Sequence, residues 1–339
     1  MCLQSLVGQQ LGDYLLEAEL GSGSMGMVYR GRHITQGKIY AVKVLLEALA
    51  SDDSFVTRFV REARVVAGLH HPNIINVYEA GNQGPYIFFA MEYFPGVSAG
   101  QLLRERNRLP ASLVIEIAAQ TADALAYAHV EGRLVHRDIK PDNLLVDRWC
   151  RVKVLDFGLA RIQGAQSITL AGTVVGSLYY VAPEQLLGYE LDGRSDVYAL
   201  GVSMYEMLTG KRPYHGQTLT EMTDAILGAV AMPPSRIEPS VPPELERLVA
   251  RAMMRDVNLR YRNASELYAD LRALQAHLPE GPTARIPVPD VSHGEHTLTA
   301  PPATPLYGHG ALRVPTLRPS SEGSDPPARP ISRTTGRPE

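Results

Sequence analysis

Between residues 13 and 93 the apolar positions tend to alternate with polar ones, and from about residue 98 onward they recur at helical spacing. DYLLEAELG, MVYRGRH, KIYAVKVL and YIFFAMEYF are rich in β-branched or aromatic residues and read as strands. One segment among them, SDDSFVTRFVREARVVAGL, carries a Ser/Asp cap signal and sets Phe55, Phe59, Ala63 and Val66 on one stripe, which predicts a helix. In the second half Val114, Ile117, Ala118, Thr121, Leu125 and Ala128 form a helical stripe that Pro110 opens and that ends just before Gly132. The pattern predicts an α+β chain in which a small sheet-rich part precedes a larger helical one, without internal repeats.

Near residue 279 the pattern stops. The 61 residues from Pro279 to Glu339 hold 13 of the 25 prolines, many Gly, Ser and Thr, and equal numbers of acidic and basic residues. A disordered or extended tail is expected, either a linker or a docking tail offering proline-rich segments such as Ala300 to Pro305. Residues 1–11 are expected to be an N-terminal extension and residues 12–278 the folded domain.

Composition narrows the function only a little. A 339-residue chain with 45% hydrophobic and 20% charged residues is long enough for a large core. Its formal net charge of -3 argues against nucleic acid or anionic lipid as an obligatory partner. Cys2 and Cys150 form neither a disulfide framework nor a metal-like spacing. The absence of a long apolar run makes a cytoplasmic location the expectation.

Gly21, Gly23 and Gly26 stand at the spacing G-x-G-x-x-G. Alone, that spacing suits a dinucleotide site, an ATP site or an ordinary loop. A dinucleotide site needs a helix next, but here a strand follows. Glycines in a β-hairpin let the backbone close over a phosphate chain, which calls for a cation nearby. Lys43, in the apolar run AVKVL, supplies one, and Glu62 in RFVREARVV is its candidate counter-charge. Further on, LVHRDIKPDNLLV places Asp138, Lys140 and Asn143 in one polar loop, and KVLDFGLA sets Asp156 at the end of a strand.

These motifs, together with the APE of residues 182–184, resemble the eukaryotic-type (Hanks-type) protein kinases, most closely their bacterial serine/threonine branch, over roughly residues 12–278. The resemblance implies a two-lobed fold, with a small antiparallel-sheet lobe (12–93) that holds one key helix and a larger, mainly helical lobe (94–278). It implies ATP and Mg²⁺ as cofactors, with Mn²⁺ a possible substitute, and protein substrates. Leu20 and the three glycines would cover the nucleotide, and Val28, Ala41 and Leu145 would sandwich the adenine. Glu92 to Phe94 would supply the hinge backbone, and Met91 would gate the pocket behind. Lys43 would contact the α- and β-phosphates and pair with Glu62, while Asp156 and Asn143 would hold metal. Asp138 would orient the substrate hydroxyl, and Lys140 would lie against the γ-phosphate, which points to serine/threonine specificity.

By the same resemblance, Ser167, Thr169 and Thr173 are candidate sites of autophosphorylation and Arg137 would bind the resulting phosphate. Trans-autophosphorylation through a homodimer is a further possibility. Ser177 stands where the family usually has a threonine bridging the catalytic Asp and Lys. Glu184 with Arg260, and Asp196, would be structural. PGVSAGQLL departs from the commoner pattern and leaves the ribose contact unassigned. The rival reading is a pseudokinase scaffold, which usually lacks one of the residues present here as Lys43, Asp138 and Asp156.

Overall fold

The computed structural model describes residues 5–23, 26–45, 65–157 and 176–277. Residues 65–67 are helical and Gly68 and Leu69 are not, while Glu62 with residues 51–64 of the expected helix, the hydroxyls at 167, 169 and 173, and the tail from residue 279 lie outside the described residues.

The small lobe is an antiparallel sheet of β1 (Gln10–Leu11), β2 (Tyr14–Gly23), β3 (Gly26–His33), β4 (Ile39–Leu45), β5 (Val77–Gln83) and β6 (Tyr86–Glu92), ordered β1-β2-β3-β4-β6-β5. Period-two alternation divides its faces. On β4 and β6, Tyr40, Val42, Val44, Phe88 and Ala90 join Tyr14, Leu16 and Tyr29 in one core cluster. Ala41, Lys43, Phe89 and Met91 alternate with them and turn to the opposite face, toward the large lobe. Lys43 is buried there because strand register leaves it no other side.

The described part of the expected extension, residues 5–11, packs against the small lobe. Leu6 and Leu11 are 2% and 1% exposed within the same core cluster, and Gln10 and Leu11 pair with β2. Strand β5 escapes the alternation rule because its sequence, VYEAGNQ, is mostly polar or small. It holds its place through the Gly81–Phe88 pair, where a Cβ on Gly81 would lie 2.2 Å from the Phe88 ring.

The large lobe begins with β7 (Val97–Ser98), which pairs with β8 (Leu144–Val146) and β9 (Val152–Val154). Its helices include α1 (Ala99–Arg106), α2 (Ala111–Gly132), α3 (Pro183–Leu186), α4 (Gly193–Thr209), α5 (Leu219–Gly228), α6 (Pro234–Ile237), α7 (Pro243–Ala252) and α8 (Ala264–His277). Buried residues of α2, α4, α7 and α8 meet in one core, and α4 is almost wholly inside it. Pro110 does cap α2, but the left-handed cap residue is Arg133 (φ 47°), and Gly132 is the last helical residue. At Gly132 a Cβ would come 3.0 Å from the Leu69 side chain, a tight contact that Leu69 would have to yield to.

Candidate active site

The glycine hairpin separates two uses of glycine. A Cβ on Gly26 would lie 1.9 Å from the Val44 carbonyl, so Gly26 allows β3 to approach β4. Among the described residues Gly21 meets nothing within 4 Å and Gly23 only a backbone oxygen at 4.0 Å, so packing against them does not demand glycine at either. They leave the hairpin's backbone open to a ligand.

Below the hairpin, Lys43 Nζ lies 2.7 Å from Asp156 Oδ1, joining β4 to a residue 113 positions away. Burial disfavours the charge on Asp156, but the Lys43 ammonium, with His136 and Lys140, holds its carboxyl below the usual range. Asp156 adopts φ 58° and Arg137 φ 70°, conformations that non-glycine residues seldom take, so the backbone is constrained at both ends of this site.

His136 ties the two loops together. Its Nε2 lies 2.7 Å from Leu155 O and its Nδ1 lies 3.3 Å from Asp138 N. A proton on Nε2 satisfies both, with Nδ1 accepting from the Asp138 amide. The ring also packs edge-on against Phe157, 4.6 Å between centroids. Asp196, almost fully buried, accepts from His136 N and Arg137 N at 2.8 Å each. The carboxylates of Asp138 and Asp156 are thereby held in one site.

Asp138 Oδ2 accepts from Lys140 Nζ at 2.7 Å and from Asn143 Nδ2 at 3.0 Å. Lys140 also donates to Ser177 Oγ at 2.7 Å, so the serine hydroxyl stands at the lysine that bonds Asp138. Asn143 Nδ2 donates to Asp138 O as well, which leaves its Oδ1 as an available acceptor.

Val28, Ala41, Met91 and Phe94 form an apolar patch together with Ile75, Val77 and Leu155, three residues that the sequence reading does not single out. Leu145 is half-buried between the fully buried Leu144 and Val146, on the face of β8 turned from the core. Met91 lines a cavity of about 30 Å³ shared with Lys43, Val66, Phe89, Asp156 and Phe157. The Glu92 side chain turns away to Lys153 Nζ (2.8 Å) and Asn76 Nδ2 (2.9 Å). Lys153 is 8% exposed and flanked by valines like Lys43, so the signal that picked out one lysine applied to the other. Leu20, at the hairpin, is partly exposed.

Glu184 and Arg260 make two bonds of 2.7 Å each, and Ser195 Oγ adds a third to the same carboxylate. Ser98 is the N-cap of α1, its Oγ accepting from Gln101 N at 3.0 Å.

A model of the protein kinase domain matches residues 14–270. The chain belongs to the protein kinase family. It is 39% identical over 276 residues to the serine/threonine-protein kinase PknL of Mycobacterium tuberculosis, covering 81% of this chain and 69% of that protein. To a probable serine/threonine-protein kinase of Clostridium acetobutylicum it is 36% identical over 267 residues, covering 78% of this chain and 40% of the relative. The chain thus spans about two fifths of the length of the clostridial relatives it matches. The solved kinase domain of PknI from M. tuberculosis is 30% identical, with a TM-score of 0.63 over 80% of this chain and 99% of that one. These relatives place the chain in the bacterial Hanks-type branch, and the two-lobed architecture is that of the family.

The donor set suits a divalent cation. Among the described residues no three His, Cys, Asp or Glu side chains converge as a self-sufficient metal cage. A hard cation that keeps waters and takes phosphate oxygens needs only one or two protein oxygens, such as Asp156 and Asn143 Oδ1. Among the described residues no helix is long and apolar enough to cross a membrane.

Proposed function

We propose that residues 12–278 act as a serine/threonine protein kinase, transferring the γ-phosphate of ATP to hydroxyls of protein substrates, with residues 279–339 as an appendage. The observation that carries this reading is the orientation of Asp138. Lys140 and Asn143 hold one of its oxygens, and among the described residues the other takes no side-chain bond and stands ready to accept a hydroxyl proton. A carboxylate is a weak base, so its main contribution is to aim the hydroxyl in line with the phosphorus.

Lys43 and Lys140 supply positive charge on either side of the phosphates, and the open backbone at Gly21 and Gly23 covers them. Mg²⁺ held by Asp156 and Asn143 would neutralise charge on the leaving phosphates, and Mn²⁺ has the same oxygen preference. Lys43 now bonds Asp156; pairing with Glu62 would free an Asp156 oxygen for metal. Val28, Ala41 and Leu145 enclose the adenine and the backbone of residues 92–94 reads its edge. Ser177 keeps the hydroxyl that steadies Lys140. Autophosphorylation at Thr169, Thr173 or Ser167 opposite Arg137, a homodimer that permits it in trans, and a cytoplasmic location complete the proposal.

Labelled ATP and a generic protein substrate test it. Wild-type protein transfers label to serine and threonine, and Asp138→Asn protein does not. Label transfer that is equal in the two, or absent from both, overturns the reading. Peptide spectra after incubation with MgATP locate phosphate between residues 158 and 175 if the activation-loop proposal holds, and their silence there removes it.

A further inference from the structure

The chain's single tryptophan, Trp149, sits on the turn between β8 and β9 and is 51% exposed. Isolated apolar residues on a surface are ordinary. This one is built differently. The buried Asp147 carboxylate accepts from Trp149 N and Arg151 N at 2.9 Å each and from Arg151 Nε at 2.6 Å. Cys150 takes φ 61° to close the turn, and Gln120 on α2 grips it from below, donating to Cys150 O and accepting from Val152 N. Arg148 and Arg151 lie 5.5 and 5.0 Å from the indole, and Arg151 also reaches within 5.9 Å of Phe94. A rigid turn thus presents a tryptophan between two guanidinium groups, the residue types that dominate binding hot spots.

The path of the chain names an occupant. Near the end of α8, Gln275 donates to Glu116 Oε2 at 2.7 Å, and Gln120 donates to Glu116 Oε1 at 2.6 Å. Since Gln120 also holds Cys150, α8 ends two hydrogen-bonded side chains away from the tryptophan turn. The 62 residues after His277 follow α8 in the sequence, so their tether begins beside the turn.

Their first stretch has matching chemistry: Pro279, Pro282, Pro287 and Pro289, with Glu280, Asp290 and Glu295 against Arg285 alone. Proline-rich chain favours the extended helix that docks on aromatic rings, and its carboxylates suit arginine. Eight residues, 278–285, span roughly 25 Å in that conformation, enough to bring Ile286–Asp290 onto the turn.

We propose that the proximal tail, centred on Ile286-Pro287-Val288-Pro289-Asp290, docks in cis on Trp149, Arg148 and Arg151. Tethering close to the surface gives the segment a high effective concentration, so a weak contact suffices. The proposal does not depend on catalysis.

Trp149 is its own reporter. Acrylamide quenching is measured on the full-length chain, dilute, as wild type, as Pro287→Ala/Pro289→Ala and as Arg148→Glu. Wild-type Trp149 is shielded, and each variant raises the quenching constant about two-fold with a red shift of emission. Adding Asp290→Arg to Arg148→Glu restores shielding. Equal quenching in wild type and both variants overturns the proposal, and so does shielding that grows with protein concentration, because a second copy would then be the occupant.

Discussion

Two ion pairs divide the large lobe's acidic residues between chemistry and architecture. Arg260 has no exposed side-chain surface, binds both oxygens of Glu184, and spends its remaining donors on the carbonyls of Met254, Arg194 and Arg255. Lys43 is almost as deeply buried, yet among the described residues it bonds only Asp156, whose side chain is 31% exposed at the cleft. In the first pair all five guanidinium donors are used and Glu184 accepts three bonds. In the second, among the described residues, Asp156 accepts from Lys43 alone and keeps acceptor sites open at a water-accessible edge, where the proposed phosphate and cation would compete with the existing bond. Burial alone therefore does not distinguish structural from functional charge here; the number of unfilled acceptor sites does.

That contrast ranks the expected effects of mutation. Changing Lys43→Met or Asp138→Asn lowers phosphoryl transfer by about 10³-fold, and Asp138→Asn, which keeps the side chain's size at a part-exposed position, leaves the thermal midpoint near that of wild type. Paired transfer assays and calorimetry test this, and an unfolded variant would show that the cleft charges are architectural. Arg260→Met leaves Glu184 buried without its partner and costs about 3–5 kcal/mol, lowering the melting temperature by roughly 10 °C.

The pH dependence follows from the same pair. Burial opposes the charge on Glu184, but the bonds from Arg260 and Ser195 win and hold its carboxyl below the usual range. Its contribution to stability is therefore complete above the ordinary carboxylate value, about 4.3, and is lost as the pH falls through the lower folded value. Melting curves in acid should lose part of this slope in Glu184→Gln. The smallest effect belongs to Ser177. Ser177→Ala removes one bond to Lys140 and lowers kcat about five- to ten-fold, while Ser177→Thr stays near wild type.

The sheet-before-helix order and the cluster of motif residues were legible because both are short-range signals. Alternation in KIYAVKVL fixes which face of β4 carries Lys43, and LVHRDIKPDNLLV confines Asp138, Lys140 and Asn143 to one loop. What stayed hidden depends on partners far along the chain. Strand β5 is packed by the Gly81–Phe88 pair, and β1 joins the sheet where Leu6 and Leu11 find the small-lobe core. His136 gains its bridging role only when Leu155 is brought beside it. Lys153 was visible in VKV, but its partner Glu92 lies 61 positions away.

The central claim is that Asp156 serves the cation and Asp138 the hydroxyl at one nucleotide site. Calorimetric titration with a non-hydrolysable ATP analogue, with and without Mg²⁺, tests it most directly. Wild type and the inactive Asp138→Asn protein should both bind more tightly with Mg²⁺, and Asp156→Asn should lose that gain. An unchanged Mg²⁺ enhancement in Asp156→Asn would contradict the assignment.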